Sequence, residues 1–481
     1  MSVLQLPAGL AERADAVRSR LFGEKTGDRF LDRPYASVQL LLLSAAGLLT
    51  FGVMMAVSTT IAASNDSTTT AAASASIWAQ MIKEFEFVAL GLPIFWLALR
   101  LPPKAFRVLA YPALVLGFFS LVAVLIPGIG FGVYGARRWI DLGPLQLQPS
   151  EFAKIGVLLW GADLLSRKQA LGTLTRARHL FVPLVPGFVL IIGLVMLEPD
   201  LGTTCCYLLI LLGLLWMVGM PMRYFAVLVG CVGGAVTLLA LAAPYRWQRV
   251  TSFLHPFSHA KTTTYHAAEG IYALASGGIF GVGLGNGTSK YGWVPNANSD
   301  YVFSIIGEEL GLIGCLVVLG LFGLFTYTGM RIARRSADPF VRLVAGAATV
   351  WLAGQAVINV GYVTALLPVT GIPLPFISAG GTSLLATFFV LGMLTSFARH
   401  EAPAVAVARK DERLGRRSRL VRWLRIPVPK PYVPPKRRRT PAAAPRPAPA
   451  RPRKAAAAAP TPRVRVAPLR PTGTDGSRRT R

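Results

Sequence analysis

The chain has 481 residues, of which 53% are hydrophobic and only 15% charged, against about 25% charged in an average soluble domain. That balance excludes a disordered chain, a collagen and an ordinary water-soluble enzyme, and it fits a polytopic membrane protein. The formal net charge is +28, but the last 81 residues hold 23 basic and 4 acidic side chains. The excess is therefore a property of the tail and does not describe a nucleic-acid-binding core.

Residues 1–34 are polar, which predicts a cytoplasmic N-terminal segment with no cleavable signal peptide. Apolar runs long enough to cross about 30 Å of hydrocarbon then recur near 36–58, 85–100, 106–127, 149–165, 180–197, 201–218, 223–243, 302–327, 343–365 and 380–398. The second carries Lys83, Glu84 and Glu86 at its edge, and the fourth has Glu151 and Lys154 inside it. Continuous runs of this kind predict an all-α membrane bundle of about ten transmembrane helices, not a barrel. Lys and Arg collect in 1–34, 166–178, 328–342 and the C-terminal tail, which orients both termini to the cytoplasm. The four cysteines lie in apolar runs without metal-site spacing.

In chain order, the first polar feature is the loop pair Arg137 and Arg138, expected on the outer side. The segment QPSEFAKIGVLLWGADLL follows. Pro149 and Ser150 mark a helix start, with Ser150 an N-cap residue type. Glu151 and Lys154, three apart, share one helix face inside a span. They could simply neutralise each other. Together with the arginine doublet they could also build a cationic pocket suited to a phosphate-bearing headgroup. In LEPDLGTT, Glu198 and Asp200 sit at a tight turn, either as its solvated tip or as part of a site.

The stretch 244–301 is expected to be a large extracytoplasmic loop before the eighth helix, rich in aromatics and including the helix-like HAAEGIYALAS. Its glycines in GGIFGVGLGNGTSKYG follow no strand, so a nucleotide-binding turn is rejected and a flexible loop close to a ligand or the membrane is expected. Lys290 is one of its few basic residues. Asp300 ends the loop as the next span begins. It is either a helix N-cap or a lone carboxylate facing a cavity, where desolvation raises its basicity toward that of a general base. Of Glu308 and Glu309, at least one should face the bundle interior and need a cationic partner. Gln355 and Asn359 share a helix face, and the run from Pro368 to Gly381, with Ser378 in it, breaks the helix at membrane depth. Irregular backbone there implies a cavity. Residues 401–481 are read as a disordered, basic, Pro/Ala/Arg-rich cytoplasmic tail.

Four segments in this order, RRWIDLGPLQLQPSEFAK, EPDLGTT, YGWVPNANSDYVFSIIGEELG and LLPVTGIPLPFISAGGTSLL, resemble the SEDS family, the bacterial shape, elongation, division and sporulation proteins. The resemblance covers 35–400, and the segment ending GEELG looks closer to the division branch than to the elongation branch. It implies ten spans and a peptidoglycan glycosyltransferase that polymerises lipid II at the outer face of the plasma membrane, at the division septum. It also implies a class B penicillin-binding protein and other divisome proteins as partners. By the same resemblance the essential loop aspartate falls on Asp300, the embedded pair on Glu151 and Lys154, and an outer-loop arginine on Arg137 or Arg138.

Chemistry of that kind needs a base for the acceptor hydroxyl, for which Asp300 is the candidate. It also needs positive charge on the departing diphosphate, which Lys154 and Arg138 could supply. Glu151, Arg137, Glu198, Asp200, Gln355, Asn359 and Ser378 complete the candidate substrate-binding set. A divalent cation, Mg or Mn, could assist, but no carboxylate cluster commits the sequence to one. The alternatives are a lipid II flippase without chemistry, a scaffold for divisome partners, and an elongation-type polymerase. A transporter calls for internal repeats and polar residues open to both sides, whereas here the polar residues crowd toward one side.

Overall fold

In the computed structural model the described residues are 30–63, 70–133, 136–141, 143, 146–175, 177–241, 265–291, 293, 294, 297–415 and 419–434. Each of the ten expected spans falls on a helix. These are α1 (Ala36–Ala63), α2 (Thr70–Arg100), α3 (Pro103–Leu125), α4 (Pro149–Ala170), and, after the short α5 (Ala177–Phe181), α6 (Leu184–Leu197), α7 (Leu201–Met217) and α8 (Met222–Leu241). After α9 (Tyr265–Ser276) come α10 (Val302–Arg335), α11 (Pro339–Val363) and α12 (Thr382–Arg399). Six helices among the described residues are long and apolar enough to cross a membrane unaided, and α2 and α4 are not among them. For α4 the reason is the embedded charge: Glu151, Lys154, Asp163, Arg167 and Lys168 all lie on it.

The helix ends follow local chemistry. Proline at the first turn starts α3, α4 and α11, where a missing N–H costs nothing. Asp200 and Asp338 cap α7 and α11 by accepting from the N–H of Thr203 and Phe340, each at 3.0 Å. In α4, Gln148 is the N-cap and makes no side-chain cap, so Ser150 lies inside the first turn and not at the cap position. The central α4 packs on α3, α11 and α7, α12 on α2, and α10 on α1 and α11. Small residues let α3 and α4 touch: a Cβ on Gly156 would stand 2.7 Å from the carbonyl oxygen of Ala113.

Two features depart from the sequence reading. Between α3 and α4 the chain forms a small antiparallel sheet, β1 (Gly130–Val133), β2 (Ala136–Asp141) and β3 (Gln146–Leu147), in the order β1-β2-β3. The tail expected to be disordered from residue 401 instead continues as α13 (Ala402–Arg413) and α14 (Arg419–Trp423). Ala404 and Val405 are buried, Glu401 pairs with Arg335 at 3.1 Å, and the indole N–H of Trp96 donates to the carbonyl of Leu424 at 3.0 Å. An apolar face and a buried carboxylate give this part of the tail something to fold against. The Pro/Ala/Arg-rich run from 435 onward, the N-terminal segment 1–29 and loop residues 242–264 lie outside the described residues.

The glycine-rich loop is docked, contrary to the flexible loop expected. At Gly311 (φ 67°, ψ −165°) α10 breaks into two helices, a conformation that glycine alone adopts readily. Segment 278–283 fills the break. Val282 and Gly283 donate to the carbonyls of Glu308 and Glu309, and Leu312 and Ile313 donate to those of Gly278 and Ile279. Four of the backbone groups that the kink frees are thus partnered from the loop, as membrane depth favours.

Candidate active site

The helix breaks expected to line a cavity do so. A cavity of about 390 Å³ is walled by Arg138, Gln148, Glu151, Lys154, Asp200, Asp300 and Gln355, with Trp139, Phe87 and the backbone around Gly371–Pro373 and Gly380–Gly381. Residues from six separated stretches of chain meet there. A second, apolar cavity of about 210 Å³ lies between α1, α2 and the start of α12 and shares Phe87, Ala379, Gly380 and Gly381 with the first.

The cationic wall has two sources. Lys154 is 1% exposed, its Nζ is 2.8 Å from Glu151 Oε1, and it lies 5.0 Å over the Trp351 ring. Arg138 reaches the same cavity from the sheet. Phe131 faces Trp139 and Gly132 faces Arg137, so the register shifts and Arg138 is the unpaired residue of a β-bulge. A bulge turns one side chain out of the alternation. Arg138 is thereby aimed at the α6–α7 turn, where it donates to the carbonyls of Glu198 (3.0 Å) and Pro199 and stands 4.0 Å from Asp200. Arg137 stays exposed. The doublet that sequence left open is divided by geometry: Arg138 lines the cavity and Arg137 is not among its walls.

The turn acids are not a solvated tip. Glu198 is 1% and Asp200 6% exposed. Asp200 caps α7, accepts from the Thr203 hydroxyl at 2.8 Å and accepts from Gln148 Nε2 at 3.2 Å. Glu198, a substrate-binding candidate in sequence, is not among the cavity walls. Burial, reinforced by the Asp200 charge and only partly offset by Arg138, pushes its carboxyl up to about 8, so it is protonated at neutral pH.

Asp300 faces Gly371, whose Cβ, were there one, would lie 3.5 Å from Asp300 Oδ2. It is not the cap of α10: that position is Tyr301, with no side-chain cap. Desolvation raises its carboxyl to about 6, Asp200 adds to the rise, and a Ser299 hydrogen bond and Arg138 oppose it. Its backbone is fixed from α11 and the broken segment. Asn359 Nδ2 and Tyr362 Oη donate to the Asp300 carbonyl at 3.0 and 2.8 Å, and Ser378 donates to the carbonyl of Ser299. Asn359 and Ser378, taken in sequence as substrate-binding candidates, thus hold the loop and are absent from the walls of the larger cavity; Ser378 lines the apolar one. Gln355 does line the larger cavity and ties it to Pro373 by a 2.8 Å bond to its carbonyl.

Sequence reasoning missed Gln148, Trp139 and Phe87. Gln148 and Trp139 flank residues already singled out, so adjacency was the available signal; nothing local marks Phe87. Lys290, in sequence only one of the few basic residues of the loop, is buried. Both Glu308 and Glu309 are buried, and Lys290 is the cation that pairs with Glu309, at 2.7 Å. No group of three metal-ligating side chains occurs among the described residues.

Residues 38–402 match the family model FTSW_RODA_SPOVE, described as a cell cycle protein. A Mycobacterium tuberculosis protein named "Probable peptidoglycan glycosyltransferase FtsW" is 43% identical over 409 residues, covering 85% of this chain and 75% of that one. Stage V sporulation protein E of Bacillus subtilis is 33% identical over 362 residues, 75% of this chain and 96% of its own. Among solved structures, a chain of a peptidoglycan synthase complex that coordinates polymerization and crosslinking superposes with a TM-score of 0.62 at 27% identity, covering 75% of this chain and 97% of that one. The rod shape determining protein RodA of Thermus thermophilus superposes with a TM-score of 0.53 at 28% identity, covering 75% and 96%.

Proposed function

Because this chain belongs to the FtsW/RodA/SpoVE family of cell cycle proteins and is a membrane-embedded peptidoglycan glycosyltransferase, we propose that it polymerises lipid II at the outer face of the plasma membrane during septal wall synthesis. Asp300 is the general base. Its carboxylate takes the proton of the acceptor's sugar hydroxyl as that oxygen attacks the donor's anomeric carbon. The new glycosidic bond forms while the bond from sugar to diphosphate breaks, and the lipid diphosphate departs with the bonding electrons. Lys154 and Arg138 balance that growing charge, and Glu151 holds the Lys154 ammonium in place. The apolar cavity beside the polar one receives a polyprenyl tail.

The observation that carries this reading is the meeting of Asp300, Lys154 and Arg138 in one cavity that adjoins an apolar one. Glycosyl transfer from a lipid diphosphate needs those three parts together. The decisive experiment uses the purified chain with its class B penicillin-binding partner and labelled lipid II. Asp300→Asn keeps the size of the side chain and one acceptor oxygen but removes the base, so it should insert and bind the partner while losing on the order of 10²-fold or more in strand synthesis. A near wild-type rate would overturn the assignment.

The same reading puts the Asp300 side outside the cell and both termini inside. Lys290 is buried and unsuited to chemical labelling, so the probe is Asn286, which is exposed in the loop. In a cysteine-free background, an impermeant thiol reagent on intact cells should label Asn286→Cys and leave Glu412→Cys untouched. The reverse pattern refutes the orientation.

A further inference from the structure

The break at Gly311 leaves the first segment of α10, residues 302–310, without rigid continuation into the rest of the helix. Asp300 stands two residues before that short segment; Asn359 and Tyr362 hold its carbonyl from one side, and the placement of 302–310 bears on the carboxylate from the other. At its far end the fixture is ionic. Lys290 Nζ donates to Glu309 Oε1 at 2.7 Å, to Ser58 Oγ on α1 at 2.8 Å and to the carbonyl of Gly285 at 2.8 Å. Ser58 in turn donates to Glu309 Oε1 at 2.6 Å. The neighbouring Glu308 accepts from the backbone N–H of Thr288 and Ser289 at 2.7 and 3.1 Å. The Lys290 and Glu309 side chains are 1% and 0% exposed.

A buried ion pair is a poor way to gain stability, because an apolar pair of the same volume serves about as well. What it supplies is register. Four backbone hydrogen bonds dock the glycine-rich segment in the break, but backbone groups are alike at every residue, and glycines add few side chains to choose one register. A single lysine that must meet a serine on α1 and a glutamate on α10 permits one alignment only.

From this geometry we propose that Lys290 and Glu309 form a positioning pair that sets where Asp300 stands in the cavity. The proposal rests on the reading of Asp300 as the base. The pair lies outside the walls of the cavity and touches no substrate. Its loss therefore lowers turnover without weakening lipid II binding, which the Arg138 and Lys154 charges retain.

The test is steady-state polymerisation of labelled lipid II by the full-length chain with its partner, normalised to the monodisperse fraction. The double variant Lys290→Met with Glu309→Gln removes both charges and leaves neither unpaired. It should lose on the order of 10-fold in kcat while KM stays within about twofold, since misplacing a reacting group is costly even when binding survives. Lys290→Arg, which keeps the charge, should recover most of the rate. A merely structural pair predicts lower yield but normal kcat per folded molecule, and that result, or a change confined to KM, overturns the proposal. If the double variant does not fold, Ser58→Ala keeps both charges paired and should show the same loss of kcat at constant KM, in smaller size. Unchanged kcat there also overturns it. Asp300→Asn run in parallel separates the two readings. A wild-type rate in Asp300→Asn sinks both. A dead Asp300→Asn beside a fully active double variant sinks this one alone.

Discussion

The two ends of α4 carry buried charge in opposite ways. At the cavity end Glu151 and Lys154 are both buried and paired one to one at 2.8 Å, with the Trp351 ring against the ammonium. At the other end Asp163 is fully buried but shared between two arginines, Arg107 at 3.2 Å and Arg167 at 2.7 Å, whose side chains are 37% and 61% exposed. Those arginines reach toward water and keep part of their hydration, so their end behaves as an anchor. The cavity end has no such outlet. Its ammonium is buried at the edge of an open volume, where a positive charge acts strongly on an anionic group that enters. One helix thus has a working pair at one end and a structural knot at the other.

The sharpest way to break this comparison is Lys154→Ala. It should cut strand synthesis on the order of 10²-fold and also cost about 3–5 kcal/mol of stability by leaving Glu151 unpaired. The exchange Glu151→Lys with Lys154→Glu distinguishes the two effects: if it restores the full rate, the pair is structural like its counterpart at Asp163. The pH profile comes next. Asp300 must be ionised to accept a proton and its carboxyl is raised to about 6. The rate should therefore hold above about pH 7 and fall about tenfold per unit below about pH 6. A profile flat down to about pH 4.5 would point away from Asp300.

A smaller effect is expected across the arginine doublet. Arg138→Ala should lower the rate on the order of 10-fold, while Arg137→Ala leaves it within about twofold. Equal losses would mean that the bulge does not decide between them. At the far end of α4, Asp163→Asn should cost about 1–3 kcal/mol of stability, read by thermal unfolding in detergent, and leave kcat of the folded fraction unchanged. A last prediction concerns Glu198. With its carboxyl raised from 4.5 to about 8, the folded chain keeps a proton that the unfolded chain releases. Its contribution to stability is full below about pH 4.5 and is lost as pH rises toward about 8. Glu198→Gln should flatten that part of the melting-temperature curve, and an unchanged slope would remove Glu198 as its source.

How much could be read without coordinates differs sharply along the chain. Helices stand at each of the ten apolar runs, because a helix pairs its own backbone groups in an apolar surrounding; run length and apolarity alone single out six of them as spans. The Glu151–Lys154 pair follows from helical spacing alone, since residues three apart share a face whatever surrounds them. The carboxylates at 308 and 309 were legible as buried, but their cation was not. Lys290 reaches Glu309 only because a glycine-rich segment folds into the break at Gly311.

Local pattern, then, was enough for composition, spans, the embedded pair and the suspicion that Asp300 faces a cavity. The relations between distant stretches were decided by the tertiary structure. The bulge that aims Arg138 depends on pairing between strands, and its register has no signature in the RRW triplet itself. Asn359 and Ser378 turned out to hold the Asp300 backbone because α11 and the broken segment happen to pass beside it. The Glu198 carboxyl is raised only because the packed turn buries it and the Asp200 charge stands beside it. Periodicity and run length are properties of one segment and survive any packing, whereas register, desolvation and the choice of partner arise only where segments meet.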